Sequence, residues 1–266
     1  MKYDYKETTS DLLKRIDIHS KYGSRNIDEW MLELLPLKPG HKILDIGCGA
    51  GKQCFSYYDH LHGQADITGG DVNLDLLEQA RLENQKRGAN IHFKEMDFNK
   101  PFREESKQFD LISCCFAIYY AEDIPFTIRE MHRVLKTGGV LFTSGPMRQN
   151  KQLFYDIIKE ATNLPIPPMP GSSRYDSEIY VEIKSQFSKV KLHKFNNPLT
   201  FDEVGPFVEY TRASLSEDRK LWKSFFKNKA DFHRIMTQIE TVAERRLQQD
   251  GKLVMTKVVG GILAIK

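Results

Sequence analysis

The residues best suited to chemistry lie at positions 42–51, where a short apolar run containing Asp45 leads into glycines at positions 47, 49 and 51. Glycine has no Cβ, so the backbone can turn tightly and a ligand can approach the amides at the start of a following helix. The pattern predicts a buried strand that enters a cofactor-binding loop.

The spacing of these glycines argues against a dinucleotide. The fingerprint G-x-G-x-x-G would place its last glycine at Lys52, and a pyrophosphate would gain nothing from a negative charge such as Asp45. A cationic cofactor fits this loop better. Because a lone glycine motif is a weak signal, the residues that follow it must support the interpretation.

Two further acids end strand-like segments. Asp71 ends the second segment, 24 residues after Gly47, in the region where nucleoside-binding α/β folds place a carboxylate on the ribose hydroxyls. Its alternative role is the N-cap of a helix at about residues 73–86. Asp97 and Phe98 end the third segment, and Asp97 has the alternative of a solvated turn residue.

Together these signals resemble the class I S-adenosylmethionine-dependent methyltransferases. Residues 44–51 are similar to the first motif of that family, and residues 133–141 to its helix end, glycine turn and fifth strand. The resemblance covers about residues 41–145 and extends to strand-like segments at 187–196 and 253–265. It implies an α/β fold with a doubly wound, seven-stranded, mostly parallel Rossmann-like sheet, in which the last two segments are an antiparallel hairpin at the edge.

The resemblance implies S-adenosylmethionine as cofactor and S-adenosylhomocysteine as its product. In the family, an acid and an aromatic residue like Asp97 and Phe98 bind the adenine amino group and cover its ring. Arg25 suits the methionine carboxylate, because a guanidinium binds carboxylates through paired hydrogen bonds; a surface helix cap is the equal alternative. The residues expected to contact the cofactor are Asp45, Gly47, Cys48, Gly49, Asp71, Val72, Asp97, Phe98, Cys115, Tyr22 and Arg25.

The acceptor side is less specific. Tyr119 and Tyr120 follow the fourth strand, at the edge where the methyl group meets the acceptor in the family. They are candidates to orient the acceptor or to stack against the sulfonium, with core packing as the alternative, and the catalytic residue stays unknown. The residues expected to contact the acceptor are Tyr119, Tyr120, Arg148, Arg174, Tyr175, Phe207 and Tyr210.

Several acceptor classes are disfavoured. The segment after the fourth strand lacks the Asn/Asp-Pro-Pro-aromatic signature of exocyclic base methylation, no Pro-Cys pair is present, and a net charge of +3 is too small to indicate nucleic acid. We therefore expect no DNA substrate, and methyl transfer to an O or N atom of a small-molecule metabolite or natural product. The alternatives are an RNA or protein acceptor, a nicotinamide-dependent oxidoreductase, and a protein that only binds S-adenosylmethionine.

Cysteine usage and hydropathy indicate the setting. The four cysteines form no C-x-x-C pair, and they are Cys48, Cys54, Cys114 and Cys115. We expect reduced packing thiols, no metal site and a cytoplasmic protein. No signal peptide is recognisable, and no run approaches the ~18 apolar residues of a membrane span, so we expect no membrane partner.

The chain is expected to have three regions. Residues 1–40 form two amphipathic helices that are part of the pocket wall, residues 41–199 and 250–266 form the cofactor-binding core, and residues 200–249 form a helical insertion. The aromatic residues of the insertion predict a lid over the acceptor pocket. A dimer interface is the alternative, so the expected state is a monomer or a homodimer.

Local signals refine this organisation. Residues 200–203 (TFDE) and 214–217 (SLSE) have the pattern of capping boxes, which predicts a helix start at each. The proline-rich residues 164–171 exclude a helix or an inner strand, because proline lacks the N–H that both require.

Overall fold

A computed structural model of the chain describes residue 14 and residues 17–19, 21–215, 219–226 and 228–266. The first of the two predicted N-terminal helices falls largely outside these residues. The chain divides into two compact units. The sheet unit comprises residues 27–148, 170–195 and 259–266; the helical unit comprises the described residues of 149–169 and 196–258 and those before Ile27.

Seven strands form one sheet within the described part of the chain. They are β1 (Lys42–Ile46), β2 (Asp66–Asp71), β3 (His92–Glu95), β4 (Phe109–Cys115), β5 (Leu135–Pro146), β6 (Lys189–Phe201) and β7 (Leu253–Ile265). The strand order is β3-β2-β1-β4-β5-β7-β6, with parallel pairing from β3 to β5 and β7 antiparallel to β5. The predicted mostly parallel, seven-stranded α/β sheet is confirmed.

Helices alternate with these strands. They are α1 (Ile27–Leu34), α2 (Lys52–His60), α3 (Leu74–Arg87), α4 (Ile124–Val134), α5 (Gln152–Thr162), α6 (Pro170–Arg174), α7 (Tyr180–Gln186), α8 (Val204–Ala213), α9 (Arg219–Phe225) and α10 (Lys229–Asp250). A 3₁₀ turn spans Ile118–Tyr120 and a π-helical turn spans Tyr175–Ile179. The side chain of Asn73 caps α3 by accepting hydrogen bonds from the N–H groups of Asp75 and Leu76, so the predicted helix is present and Asn73, not Asp71, is its N-cap.

The sheet is buried on both faces. Alternate residues of each strand point to opposite sides, so neighbouring residues pack in different clusters. One hydrophobic cluster contains Leu44, Ile112 and Leu141. The residues one position away in each strand belong to the other cluster, and they are Ile43, Leu111 and Phe142. Burial on both sides explains why the central strands are continuous apolar runs, which made them recognisable in the sequence.

A glycine pair in β5 and β7 makes room for one aromatic side chain. Gly145 and Gly260 are partners in the antiparallel register, and a Cβ added to them would lie 2.5 and 2.7 Å from ring atoms of Tyr175. The ring of Tyr175 is fully buried, and its hydroxyl donates to the carbonyl oxygen of Thr143 at 2.8 Å. The start of the π-helical turn is thereby fixed to the sheet.

The helical unit has its own aromatic core. The ring of Phe154 on α5 lies edge-on to three others, those of Phe207, Tyr210 and Trp222, with centroid distances of 6.4, 5.9 and 6.2 Å. Trp222 in turn stacks on Phe226 at 5.2 Å. Residues 149–169, which the sequence predicts as part of the cofactor-binding core, belong to this unit together with the predicted insertion.

Two local predictions are corrected by the structure, and a third extends beyond the described residues. Pro170 begins α6, because proline is compatible with the first position of a helix, where its missing N–H is not needed. The helix predicted to start at residues 200–203 is present as α8 but begins later, at Val204, because β6 continues to Phe201, whose buried side chain joins the helical-unit core. The helix start predicted at residues 214–217 falls partly on residues outside the described part of the chain; Ser214 itself ends α8, and its hydroxyl donates to the carbonyl oxygen of Thr211 at 2.8 Å.

Candidate active site

The glycine loop between β1 and α2 has the backbone conformation that its sequence predicts. Gly47, Gly49 and Gly51 have φ values of 70°, 55° and 83°, in the left-handed region that favours glycine. The N–H groups of Gly47 and Cys48 both donate to the carbonyl oxygen of Gly70, at 2.7 and 3.1 Å. The loop is therefore attached to the carboxyl end of β2.

The three glycines have different surroundings. A Cβ at Gly47 would lie 2.5 Å from Cβ of Ala117, and one at Gly51 would lie 2.8 Å from the ring of Phe93. At Gly49 the nearest atom of a described residue would be Cδ1 of Leu76, at 3.8 Å. Gly47 and Gly51 are thus required by protein packing, whereas Gly49 faces space that a ligand can use.

Asp71 closes one side of this space. One carboxylate oxygen accepts the N–H of Gly49 and the other accepts the N–H of Asn73, both at 2.8 Å. The next residue, Val72, is 57% exposed although it is apolar. An exposed apolar side chain beside a half-buried carboxylate suits the ring and the hydroxyls of a nucleoside.

Asp45 lies beneath the loop and is almost completely buried. Its carboxylate accepts a hydrogen bond from Oγ of Ser113 at 2.6 Å and one from Sγ of Cys54 at 3.6 Å. Burial raises the pKa of Asp45 to about 7, with Asp71 adding a smaller increase and the two hydrogen bonds opposing it. The side chain joins β1, β4 and α2, so in this conformation it supports the loop from below and does not face a ligand.

The predicted adenine residues follow β3. Asp97 accepts the N–H of Asn99 at 3.0 Å and forms an ion pair with Lys100 at 3.2 Å. Its pKa is lowered, mainly by the hydrogen bond from Asn99. The half-buried ring of Phe98 would lie 3.9 Å from a Cβ at Gly47, so the structure brings this ring next to the glycine loop.

The exit of β4 adjoins the same loop through Ala117. Phe116 has a φ of 55°, which is unusual for a bulky residue, and its N–H donates to the carbonyl oxygen of Ser144 at 2.8 Å. Strain of this kind is concentrated at functional sites. The side chain of Phe116 is 38% exposed and that of Tyr120 is 62% exposed. Burial raises the pKa of the neighbouring Cys115 well above its ordinary range, which keeps the thiol neutral.

The two predicted catalytic candidates differ in exposure. Tyr119 is buried while Tyr120 is open, and their ring centroids are 4.7 Å apart. Sequence reasoning named both tyrosines but missed Phe116. Its position was predictable, since Phe116 directly follows the predicted strand. Its left-handed backbone conformation was not, because that conformation of a phenylalanine has no sequence signature.

Other predicted acceptor contacts in the sheet unit have structural partners. The guanidinium of Arg174 donates to the backbone of the 3₁₀ turn after β4. Tyr175 is fully buried against β5, so it is closed to a ligand in this conformation. Arg148 is exposed and lies 3.8 Å from the carboxylate of Asp176. Of these three residues, Arg148 alone is open to a small molecule.

Four predicted site residues belong to the helical unit. Tyr22 packs on Phe201, with ring centroids 5.0 Å apart, and the guanidinium of Arg25 donates to the carbonyl oxygen of Asn196 at 3.4 Å. Phe207 and Tyr210 are fully buried in the aromatic core. The structure thus assigns packing roles to Phe207 and Tyr210, and contact of any of the four with a ligand stays a prediction.

Neither a candidate metal cluster nor a membrane-spanning helix is present among the described residues. Across these residues, no group of three or more His, Cys, Asp or Glu side chains is arranged to hold a metal ion. Of the helices that the structure describes, none is both long and apolar enough to cross a membrane.

Comparison with known proteins assigns this chain to a protein family. A model described as a methyltransferase domain matches residues 37–229. The ubiquinone biosynthesis O-methyltransferase of Bordetella avium is 28% identical over 130 residues, which are 49% of this chain and 53% of that protein. The uncharacterised methyltransferase YcgJ of Bacillus subtilis is 24% identical over 174 residues, 65% of this chain and 67% of that protein. This chain spans about half the length of most of the curated relatives it matches.

Solved structures agree on the fold. The structure of YcgJ covers 90% of this chain and 97% of its own, with a TM-score of 0.59 and 17% identity. A SAM-dependent methyltransferase from Aquifex aeolicus covers 72% and 91%, with a TM-score of 0.53 and 16% identity. Identities this low support the architecture alone.

Proposed function

We propose that this chain, which belongs to the methyltransferase domain family, transfers a methyl group from S-adenosylmethionine to an O or N atom of a small organic acceptor. The observation that carries the proposal is the space at Gly49, where a Cβ would meet no atom of a described residue closer than 3.8 Å, beside an Asp71 carboxylate that accepts the N–H of Gly49.

The residues around this space fit the cofactor. Asp71 has the oxygens to accept the ribose hydroxyls, Val72 offers an apolar surface to the adenine ring, and Phe98 lies beside Gly47. The negative charge of Asp71 favours a cationic ligand. When bound, S-adenosylmethionine supplies an electrophilic methyl group on a sulfonium whose leaving group is a neutral thioether.

The acceptor would meet the exit of β4. Phe116 and Tyr120 present exposed aromatic surface there, next to the glycine loop through Ala117. Aromatic surface binds an apolar or aromatic acceptor and excludes water from the reacting atoms, so these residues can supply positioning. The curated relatives named O-methyltransferases support oxygen as the acceptor atom. A phenol fits both the exposed aromatic surface at the β4 exit and an oxygen acceptor atom.

The acceptor must also lose a proton during methyl transfer. A phenol or an ammonium must lose a proton to accept a methyl group. Tyr120 is the exposed polar side chain at the β4 exit and can accept a hydrogen bond from the acceptor hydroxyl. We assign it the role of orienting that hydroxyl, and the acceptor's proton leaves to bulk water once the methyl group has been transferred.

Two measurements test the proposal. S-adenosylhomocysteine should raise the melting temperature and NAD should not, since a ligand at about 100 times its dissociation constant stabilises by roughly 2.7 kcal/mol. Labelled S-adenosylmethionine should then transfer its methyl group to catechol or 4-hydroxybenzoate in a panel that also contains benzylamine, total RNA and a lysine-rich peptide.

Each alternative has its own outcome in this panel. Label on RNA or on the peptide would favour those acceptors over a small molecule. Binding of S-adenosylhomocysteine without transfer to any acceptor would favour a binding-only protein. Stabilisation by NAD alone would overturn the assignment in favour of a nicotinamide-dependent oxidoreductase.

A further inference from the structure

The 3₁₀ turn that carries Tyr120 is too short to be stable by itself. It spans Ile118–Tyr120 and is closed by two hydrogen bonds, from the N–H of Tyr120 to the carbonyl of Ala117 at 2.9 Å and from that of Ala121 to the carbonyl of Ile118 at 3.0 Å. One helical turn fixes several dihedral angles in return for few hydrogen bonds, so isolated turns open readily.

One side chain from elsewhere in the chain holds this turn. Nη1 of Arg174 donates to the carbonyl oxygen of Tyr119 at 3.0 Å and to that of Ala121 at 2.9 Å. These two carbonyls flank Tyr120 on either side. The guanidinium therefore fixes the backbone on both sides of Tyr120, whose side chain is 62% exposed.

Arg174 is itself held in place. Its Nε donates to the carboxylate of Glu178 at 2.9 Å, and the following Tyr175 is fixed between β5 and β7. At the other end of α6, a Cβ on Gly171 would lie 2.4 Å from Cγ of Pro146 and 3.6 Å from the ring of Tyr119. Helix α6 thus sits directly on the end of β5 and against the turn that its arginine clamps.

We propose that Arg174 is a positioning residue for methyl transfer: its guanidinium holds the Tyr119–Ala121 backbone so that Tyr120, with Phe116 before it, meets the acceptor in one orientation. The inference rests on the proposed function, because it takes the β4 exit as the acceptor side. It replaces the direct acceptor contact that the sequence predicted for Arg174. Charge-assisted hydrogen bonds to carbonyl oxygens are strong enough for this task.

The chain contains a matched control for this clamp. Arg133 donates from Nη1 to the carbonyl oxygen of Glu104 at 2.9 Å and from Nη2 to that of Phe102 at 3.0 Å, and it pairs with Glu130 through Nε. These contacts hold the segment that leads into β4, at the opposite end of the strand from the acceptor side. Arg133 has the same chemistry as Arg174 without access to the β4 exit.

The experiment compares Arg174→Met, Arg174→Lys and Arg133→Met in the full chain. Hydrogen exchange of residues 116–121 and titration with S-adenosylhomocysteine need no acceptor, and initial rates use catechol. In Arg174→Met we expect exchange of the Tyr120 and Ala121 amides to rise about tenfold and the KM for catechol to rise about tenfold. Affinity for S-adenosylhomocysteine should stay within about twofold.

The two other variants separate positioning from general stability. Arg174→Lys should recover part of the catechol KM, because an ammonium can still donate to both carbonyls. Arg133→Met should lower the melting temperature without changing the catechol KM or the exchange of residues 116–121.

Three outcomes would contradict, in turn, the clamp by Arg174, its positioning role and the proposed function. Unchanged exchange at Tyr120 and Ala121 in Arg174→Met would overturn the clamp. Faster exchange with an unchanged catechol KM would overturn the positioning role and leave a structural one. If the parent protein methylates no member of the acceptor panel, the proposed function fails by itself, and the exchange data still decide whether Arg174 holds the turn.

Discussion

The carboxylate of Asp71 and the backbone N–H of Gly49 are joined by a hydrogen bond of 2.8 Å. This bond links the end of β2 to the middle of the glycine loop, so the residue expected to bind the ribose also sets the shape of the loop. Removing the carboxylate therefore affects cofactor binding in two ways, through lost ligand contacts and through a freer loop.

Asp71→Ala should weaken binding of S-adenosylhomocysteine by about 1–3 kcal/mol, the usual range for hydrogen bonds to a charged group. Calorimetric titration measures this directly. Asp66→Ala at the start of β2 is the control, because the exposed carboxylate of Asp66 forms a surface ion pair with Lys42 at 3.7 Å, away from the glycine loop. Equal affinity of Asp71→Ala and the parent would refute the ribose role.

Gly49→Ala should abolish cofactor binding while the protein still folds. The added Cβ would contact no described atom within 3.8 Å, but it would fill the space assigned to the cofactor. Gly88 is a matched control, since it has a similar φ of 62° and a Cβ there would also meet nothing described within 4 Å. Both substitutions should cost about 1 kcal/mol of stability from backbone strain, and loss of binding should follow Gly49→Ala alone.

Asp45 should make stability fall as the pH rises. Burial raises its pKa to about 7 from 3.8, so between about pH 4 and 7 the folded protein holds a proton that the unfolded chain has released. The stabilisation is present below the unfolded pKa and is lost as the pH rises through the folded one. Relative to Asp45→Asn, the free energy of unfolding of the parent should therefore decrease over this range, by about 1.4 kcal/mol per unit of pKa difference.

Asp110 provides a control of opposite sign for that titration. Burial works to raise its pKa, but hydrogen bonds from Lys136 and from the N–H of Lys42 outweigh it, and the pKa is lowered. Relative to Asp110→Asn, the parent should therefore lose stability as the pH falls below about 4. Urea denaturation at a series of pH values measures the free energy of unfolding for the parent and for each variant. If this free energy depends on pH in the same way for the parent and Asp45→Asn, the raised pKa of Asp45 is contradicted.

Phe207→Ala should lower the stability of the helical unit by about 3–5 kcal/mol, because it removes a fully buried ring from a packed core. The two tryptophans make this measurable, since Trp30 lies in the sheet unit and Trp222 in the helical unit. Fluorescence in a Trp30→Phe background reports on the helical unit. Phe195→Ala, which removes the ring beside Trp30, is the control for the sheet unit and is followed through Trp30 in a Trp222→Phe background. Unchanged stability with a raised KM for catechol would instead support the acceptor contact predicted from sequence.

The sheet was predictable because its signals are local. Parallel strands buried on both faces have continuous apolar sequences, and the glycines at 47, 49 and 51 occupy backbone conformations that strongly favour glycine. Asp71 was placed correctly at the end of β2 by its position after that strand. Its hydrogen bond to Gly49 was not predictable, because sequence spacing does not give the direction of a side chain.

The start of α8 and the contacts of Arg174 were not predictable, because both depend on tertiary packing. Residues 200–203 have a capping pattern, yet burial of Leu199 and Phe201 in the helical-unit core extends β6 to Phe201 and delays the helix start to Val204. Arg174 contacts carbonyls more than 50 residues away in the chain, so its sequence neighbours carry no trace of its role. Backbone carbonyls are acceptors in every residue, and no motif marks the ones that a distant arginine will reach.

The packing of Tyr175 between Gly145 and Gly260 has a consequence for how this family can diverge. One aromatic ring occupies the volume that side chains at both glycine positions would need, so the three positions cannot change independently. A relative with a side chain at either glycine position should carry a smaller residue in place of the tyrosine, and a relative that keeps the aromatic ring should keep both glycines. This three-position covariation offers a way to recognise, among distant homologues, those that share the α6 support for the turn after β4.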